Sequence, residues 1–247
     1  MAPLTDRVGD WVVQWLWPSA CVACRRQPAA AVTPYFCATC WATMRRLTAP
    51  WCPRCGAPFL SPIALTWSPA HVCANCRARP PVFDSARAAV AYDGVAVAAV
   101  RLLKYDRRLS LARSLGALLD PLLPEMGPMD GVVPVPLHVD RLREREFNQA
   151  LALARVVCRR TGWPLWWNLL ERVRATRAQV GLDAAARRRN LRGAFAVRRP
   201  ERLEGRRVVL LDDVLTTGST VNECARALKR AGAASVAVLA IARQVRV

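Results

Sequence analysis

Apolar residues are distributed in two ways along this chain. Short runs with little or no polar interruption occur at Ala88–Ala91, Gly131–Pro136 (GVVPVP) and Val208–Leu211, and Ser235–Ala242 reads as an alternating apolar strand. Runs of this length predict strands, and Val208–Leu211, bounded by charge on both sides, suits a strand buried on both faces of a parallel sheet. Elsewhere apolar residues recur three and four positions apart: in Val95–Leu103, in Leu109–Leu123 up to Pro124, in Ala150–Arg160, and in a segment carrying Val221, Cys224, Ala225 and Leu228. That spacing predicts helices. Strands and helices in alternation predict an α/β fold, a mostly parallel sheet flanked by helices.

The stretch RRVVLLDDVLTTGST (Arg206–Thr220) joins one such strand to one such helix. Its strand is expected to end at Asp212 and Asp213, and a loop of Thr216, Thr217, Gly218, Ser219 and Thr220 leads into the helix. A hydroxyl-rich loop at a helix start offers backbone N–H groups, side-chain hydroxyls and the positive end of the helix dipole, which together can receive a phosphate. Two adjacent carboxylates can accept hydrogen bonds from vicinal sugar hydroxyls. The implied ligand carries a phosphate and a ribose. Neither GxGxxG nor GxxxxGK[ST] is present, so dinucleotide and Walker-type phosphate sites lack their defining residues.

VVLLDDVLTTGST closely resembles the phosphoribosyl-pyrophosphate (PRPP) motif of type I phosphoribosyltransferases. The resemblance implies that Asp212 and Asp213 hold the ribose hydroxyls and act at the catalytic centre, and that Thr216 to Thr220 hold the 5′-phosphate.

Cysteine separates a second module from this one. Eight of the ten cysteines form four CxxC pairs, Cys21/Cys24, Cys37/Cys40, Cys52/Cys55 and Cys73/Cys76, separated by 12, 11 and 17 residues. A CxxC places two thiolates on one turn, and two such knuckles complete a tetrahedral Zn²⁺ shell. Sequential use, Cys21/24/37/40 and Cys52/55/73/76, makes two zinc ribbons; interleaved pairing of the knuckles is the competing arrangement. Each ion would supply folding energy to a module too small for its own core. With both shells filled, His71 and His138 are left out, and Cys158 and Cys224 read as small buried apolar residues. Three units follow: an amphipathic N-terminal helix at 1–20 whose Trp11, Trp15 and Trp17 pack on the next module, a double zinc ribbon at 21–80 closed by Pro80-Pro81, and an α/β domain at 81–247.

Charge changes this picture only moderately. The net charge is +19 over 247 residues, with 37 basic side chains of which only Lys104 and Lys229 are lysines. Two Zn(Cys)₄ centres carry about −2 each and lower the effective charge to roughly +15. An acidic partner such as a phosphorylated substrate or single-stranded DNA fits, although abundant arginine and alanine also fit a coding bias. No stretch reaches the ~18 apolar residues of a membrane span, and Asp6 and Asp10 sit where a secretory leader would want positive charge alone. A cytoplasmic protein is expected.

Two further segments are dense in arginine. After GVVPVP come Leu137–Gln149 with Arg141, Arg143 and Arg145, expected as a loop that grips pyrophosphate with Mg²⁺, and Glu171–Gln179 with Leu182–Phe195, expected as a mobile lid or an exposed arginine face. Lys104-Tyr105-Asp106-Arg107-Arg108 reads either as a solvated connection between helices or as a hood over the sugar phosphate. VPVPLHVDRLREREFNQA and RVRATRAQVGLDAAARRRNLRGAF, in this order before the PRPP motif and behind a cysteine-rich N-terminus, resemble the ComF/GntX family of phosphoribosyltransferase-like proteins. The matching residues are Phe147, Asn148 and Gln149, then Arg174, Thr176, Gln179, Leu182, Arg187, Asn190 and Phe195, then Asp212 to Thr220. Where the family reads RGFNQ, this chain has Arg145-Glu146-Phe147, so the loop is expected to depart from the family's backbone path, since positive φ suits glycine. The resemblance implies a type I phosphoribosyltransferase fold, transfer of phosphoribosyl from PRPP to an unspecified nitrogenous base, and a link to DNA uptake. Peripheral association with an uptake apparatus follows from the same likeness, as do the alternatives of a DNA-handling protein, through Arg25, Arg26, Arg45, Arg46, Arg54, Arg77 and Arg79, and a non-catalytic PRPP sensor.

Overall fold

A computed structural model describes residues 19–59, 68, 70–175 and 184–245, with the backbone alone at 184, 185, 187 and 188. The expected N-terminal helix with Trp11, Trp15 and Trp17, residues 60–67 and 69, and Thr176, Gln179 and Leu182 lie outside the described residues, as does the side chain of Arg187.

Four strands, β1 (Ser85–Ala91), β2 (Gly131–Pro134), β5 (Arg207–Leu215) and β6 (Ser235–Arg243), form one sheet in the order β1-β6-β5-β2, parallel throughout. Short strands β3 (Leu170–Arg172) and β4 (Phe195–Val197) pair antiparallel beside it. Two five-residue helices, Ala38–Ala42 and Ala74–Ala78, lie among the cysteines; after them come α1 (Gly94–Tyr105), α2 (Leu111–Ala117), α3 (Val139–Arg145), α4 (Gln149–Thr161), α5 (Ala184–Leu191) and α6 (Ser219–Arg230), with single turns between some of them.

Both faces of the sheet are covered, which explains the apolar runs. On β6, Ala237, Leu239 and Ile241 enter one core with α1, α2 and α4, and Val236, Val238 and Ala240 enter the other with α6. The alternation expected of this strand is therefore between two cores, not between core and water. Leu109–Leu123, expected as one helix, is broken after Ala117 into a 3₁₀ turn at Asp120–Leu122 and a single turn at Leu123–Met126. Pro121 and Pro124 each sit in the first turn of these pieces, where the N–H that proline lacks has no intrahelical partner anyway.

The cysteine module is built into this domain. Cys21, Phe36, Cys37 and Met44 are buried in the same core as Leu103, Leu111 and Leu115. Between its two halves, residues 45–47 run antiparallel to the outer edge of β1, with Leu47 N donating to Ala89 O at 3.0 Å and Ala91 N to Arg45 O at 2.9 Å. The edge is thus covered against pairing with another chain. Farther along, a Cβ on Gly56 would stand 2.2 Å from Ala86 O, so only glycine lets the Cys52/Cys55 knuckle lie on β1. Among the described residues no helix is long and apolar enough to cross a membrane.

Candidate active site and zinc centres

β5 does not stop at its two acids. It runs through Leu215, with Asp212 opposite Ala240 and Val214 opposite Ala242 in the ladder. Successive side chains of a strand point to opposite faces, and the consecutive carboxylates are separated accordingly. Asp213 follows Val209 and Leu211 onto the α1 side, where it is 3% exposed and 2.8 Å from the Lys104 ammonium. Asp212 turns to the α6 side, is partly exposed, and accepts the Asp213 backbone N–H at 2.9 Å. It interacts electrostatically with Arg172 of β3 and Cys224 of α6.

Loss of water around Asp212, and next the Asp213 charge, push its carboxyl up to about 7, against the pull of Lys104 and of the Asp213 N–H. Burial works against the Lys104 ammonium, yet Asp213, joined by Asp212 and Tyr92, outweighs it and holds the lysine above its ordinary range.

Thr216 and Thr217 are exposed beyond the strand. Gly218 then takes φ +73° as the N-cap of α6, a conformation that a side chain would strain. Ser219 and Thr220 form the first turn of this 12-residue helix, and the Thr217 and Ser219 hydroxyls lie 2.8 Å apart. All five loop residues are therefore gathered at the helix's positive end, worth roughly half an elementary charge, next to the acids.

The arginine segment expected as a loop is helix α3. His138 caps it by accepting the Asp140 N–H at 3.3 Å, Asp140 lies in its first turn, and Arg143 and Arg145 lie in its last, so the charges complement the dipole. The three arginines diverge. Arg141 contacts Glu144 at 3.5 Å and is electrostatically coupled to Arg172. Arg145 lies 5.0 Å over the Tyr105 ring and donates to Gln149 at 3.4 Å, while Arg143 is exposed. Glu146 does adopt positive φ, +62°, as the helix C-cap, and its carboxylate is 2.7 Å from Arg107, itself at φ +54°. Glu146 thus reaches the positive-φ conformation that glycine would favour.

Several residues of the family pattern are braces. Asn148 caps α4 by accepting from Ala150 and Leu151 N–H and donates to Val135 O at 3.0 Å. Arg174 donates to the carbonyls of Asn190 and Arg192, holding the end of α5, and Phe195 is buried under Arg172. Lys104 was legible in principle. It continues the buried stripe Ala96, Val100, Leu103 of α1, an apolar face on which a lysine calls for a partner. It lies beneath the site beside Asp213 and does not cap it from outside as a hood would; Tyr105, Asp106, Arg107 and Arg108 are the exposed members of that segment.

The cysteines assemble sequentially. Cys21, Cys24, Cys37 and Cys40 form one group and Cys52, Cys55, Cys73 and Cys76 the other, with the ligand atoms of each within 4.8 Å of one another. A tetrahedral Zn²⁺ shell with Zn–S near 2.3 Å separates its sulfurs by about 3.8 Å. Cys24 and Cys37 Sγ stand 3.9 Å apart and Cys55 and Cys73 Sγ 3.7 Å, so both tetrads fit zinc and the interleaved pairing is excluded. The thiols do not ionise as equals. Cys21 is lowered to about 6, because N–H groups of Cys37, Cys24 and Ala23 overcome its burial, whereas hydrogen bonding to Cys37 and burial push Cys40 up to about 12. A divalent cation removes this conflict. Arg243, at the end of β6, donates to Cys55 O at 2.6 Å and lies 3.7 Å from Cys55 Sγ, placing positive charge against the second tetrad.

Comparison with known proteins agrees with this layout. Residues 12–77 match the double zinc ribbon domain family and residues 148–245 the phosphoribosyl transferase domain family. Glutamine PRPP amidotransferase of B. subtilis, solved with ADP and GMP, is 25% identical over 52% of this chain and 25% of its own, with a TM-score of 0.36. Competence protein F of Haemophilus influenzae is 32% identical, covering 78% of this chain and 85% of its own length. The DNA utilization protein YhgH of Salmonella typhi is 34% identical across 92% of this chain and 97% of its own. At that identity over nearly the full length, with both modules matched in the same order, this chain belongs to the ComF family of double-zinc-ribbon proteins with a phosphoribosyltransferase domain.

Proposed function

We propose that the end of β5 and the start of α6 bind PRPP as its magnesium complex, and that the protein transfers the phosphoribosyl group to a nitrogenous base. The observation that carries this reading is the convergence of Asp212, Asp213 and the Thr216–Thr220 loop at the positive end of α6 within a phosphoribosyl transferase domain. Asp212 and Asp213 are the acids assigned to the ribose, and the loop hydroxyls and helix N-terminus take the 5′-phosphate. Of the three arginines assigned to pyrophosphate, Arg141 is best supported, because it is coupled to Arg172 beside Asp212, while Arg145 is engaged by Tyr105 and Gln149.

In the reaction, the lone pair of the acceptor nitrogen forms a bond to the anomeric carbon as the bond from that carbon to the pyrophosphate oxygen breaks. Those bonding electrons leave with pyrophosphate, and the proton of the nitrogen passes to water. The sugar acquires oxocarbenium character on the way. This chain's part is to place carboxylate charge near the sugar, hold both phosphate ends and fix the distance between reactants. Magnesium bound with the substrate would supply positive charge to offset that of the leaving group.

Calorimetric titration with PRPP and Mg²⁺ should show binding that Asp212→Asn weakens and Asp212→Ala with Asp213→Ala removes. An intact, folded protein that does not bind PRPP would overturn the assignment. Pyrophosphate release over a panel of bases separates an enzyme from a sensor.

A second reading rests on the names of the relatives, which refer to DNA utilization and competence, and on Arg25, Arg26, Arg77 and Arg79, exposed on the cysteine module. The other three candidate DNA contacts are engaged: Arg45 with Asp93, Arg46 with Leu118 O and Arg54 with Asp84 O. Single-strand affinity that falls steeply with salt supports this reading, and no binding at low salt ends it.

A further inference from the structure

We propose that Lys104, 2.8 Å from Asp213 beneath the β5 edge, is a positioning residue that pins Asp213 on the α1 face and leaves Asp212 to meet the ligand's hydroxyls. This rests on reading that edge as the PRPP site and goes beyond it, because it makes the paired acids unequal.

The geometry separates them. The Asp213 side chain is 4% exposed and that of Lys104 18%, so neither reaches solvent freely. Asp213 offers a ribose hydroxyl almost no surface and has one oxygen held against Lys104, whereas Asp212 lies on the other face and is partly open. The ion pair is a close charge–charge contact, with Lys104 Nζ 2.8 Å from Asp213 Oδ2. Leu103 and Val100 beside Lys104 are fully buried, so its side chain is held by packing as well as by charge. A buried pair of this kind contributes little net stability against an apolar alternative, while breaking it strands a buried charge. Its presence is better explained by orientation than by folding energy.

Charge gives the arrangement its consequence. The groups that interact with Lys104 are Asp213, Asp212 and Tyr92; those that interact with Asp212 are Asp213, Lys104, Arg172 and Cys224. Lys104 favours the ionised form of Asp212, and its removal leaves two adjacent carboxylates with Arg172 as the one remaining cation of that set. The pair then retains a proton to higher pH, and a protonated Asp212 is a poorer acceptor for a hydroxyl.

The test uses the full chain with zinc bound, in variants Lys104→Met, Lys104→Gln and Lys104→Arg. PRPP–Mg²⁺ binding is titrated from pH 6 to 9, and the aspartate carboxyl carbons are followed by NMR over the same range. Lys104→Met and Lys104→Gln should bind at least about tenfold more weakly at pH 7, recover as pH rises, and show a carboxyl titration moved to higher pH; Lys104→Arg should stay near wild type in both. Folded neutral variants with the wild-type binding profile and carboxyl titration overturn the proposal. If wild type binds no PRPP, the ligand reading fails, and the carboxyl titration alone decides whether Lys104 controls the pair. If the neutral variants unfold while Lys104→Arg also loses its pH profile, Lys104 is structural and the proposal fails.

Discussion

The two chemically distinctive regions are assembled over very different distances along the chain. In the cysteine module, sulfurs 3.9 Å apart come from residues separated by 13 positions, each pair carried on its own turn. At the end of β5, Asp213 meets Lys104 of α1 on one face of the sheet and Asp212 interacts with Arg172 of β3 and Cys224 of α6 on the other, so the groups come from four elements that only the tertiary fold brings together. The tetrads carry their ligands locally yet borrow a core, since Phe36, Cys37 and Met44 are buried against α1 and α2. The candidate active site is the reverse, with a core of its own and side chains brought from afar. Local ligand spacing thus does not make the module independent.

The largest test of that contrast is metal removal. About two zinc ions per chain are expected from the two four-sulfur shells. Structural zinc contributes on the order of 10–16 kcal/mol in isolated finger peptides, so chelation should lower the melting temperature of the whole chain, β-sheet included. A sheet that melts at the same temperature after both ions are lost would show that the shared core carries no stability.

A smaller effect is expected at Asp212. Its folded pKa, about 7, lies above the ordinary 3.8, so the folded chain holds an extra proton between those values. The sign follows: this contribution is fully present below about pH 4 and is lost as pH rises through about 7. In Asp212→Asn that decline should be absent, so the variant gains on wild type across this interval in denaturant titrations. An unchanged difference at every pH would show that burial of Asp212 is not costly and would weaken the distinction between the two acids.

The smallest effect concerns Glu146. Glycine at φ +62° relieves strain of about 1 kcal/mol, and the exposed pair with Arg107 contributes about 0–1 kcal/mol. Glu146→Gly should therefore change stability by less than about 1 kcal/mol in either direction, measured by urea unfolding. A loss several times larger would mean that the Arg107 contact ties α1 to α3 more firmly than an exposed ion pair can.

Residue pattern by itself determined the parallel sheet, the helix after Gly218, the hydroxyl-rich loop that leads into it and the two cysteine-rich halves. These depend on hydrophobic period, a glycine that tolerates positive φ, and metal ligands close in sequence, all of which are local. Tertiary structure decided the rest. It carried β5 through both acids because the neighbouring strand continues to pair with it, and turned the Leu137–Arg145 segment into a capped helix that sends Arg141 and Arg145 different ways. It also chose sequential over interleaved cysteine pairing, and it set Lys104 against Asp213. No local rule reaches such contacts: a lysine on an apolar stripe announces that it needs a partner, but the partner lies on another strand, and only the packing of α1 onto the sheet says which of the two acids it meets.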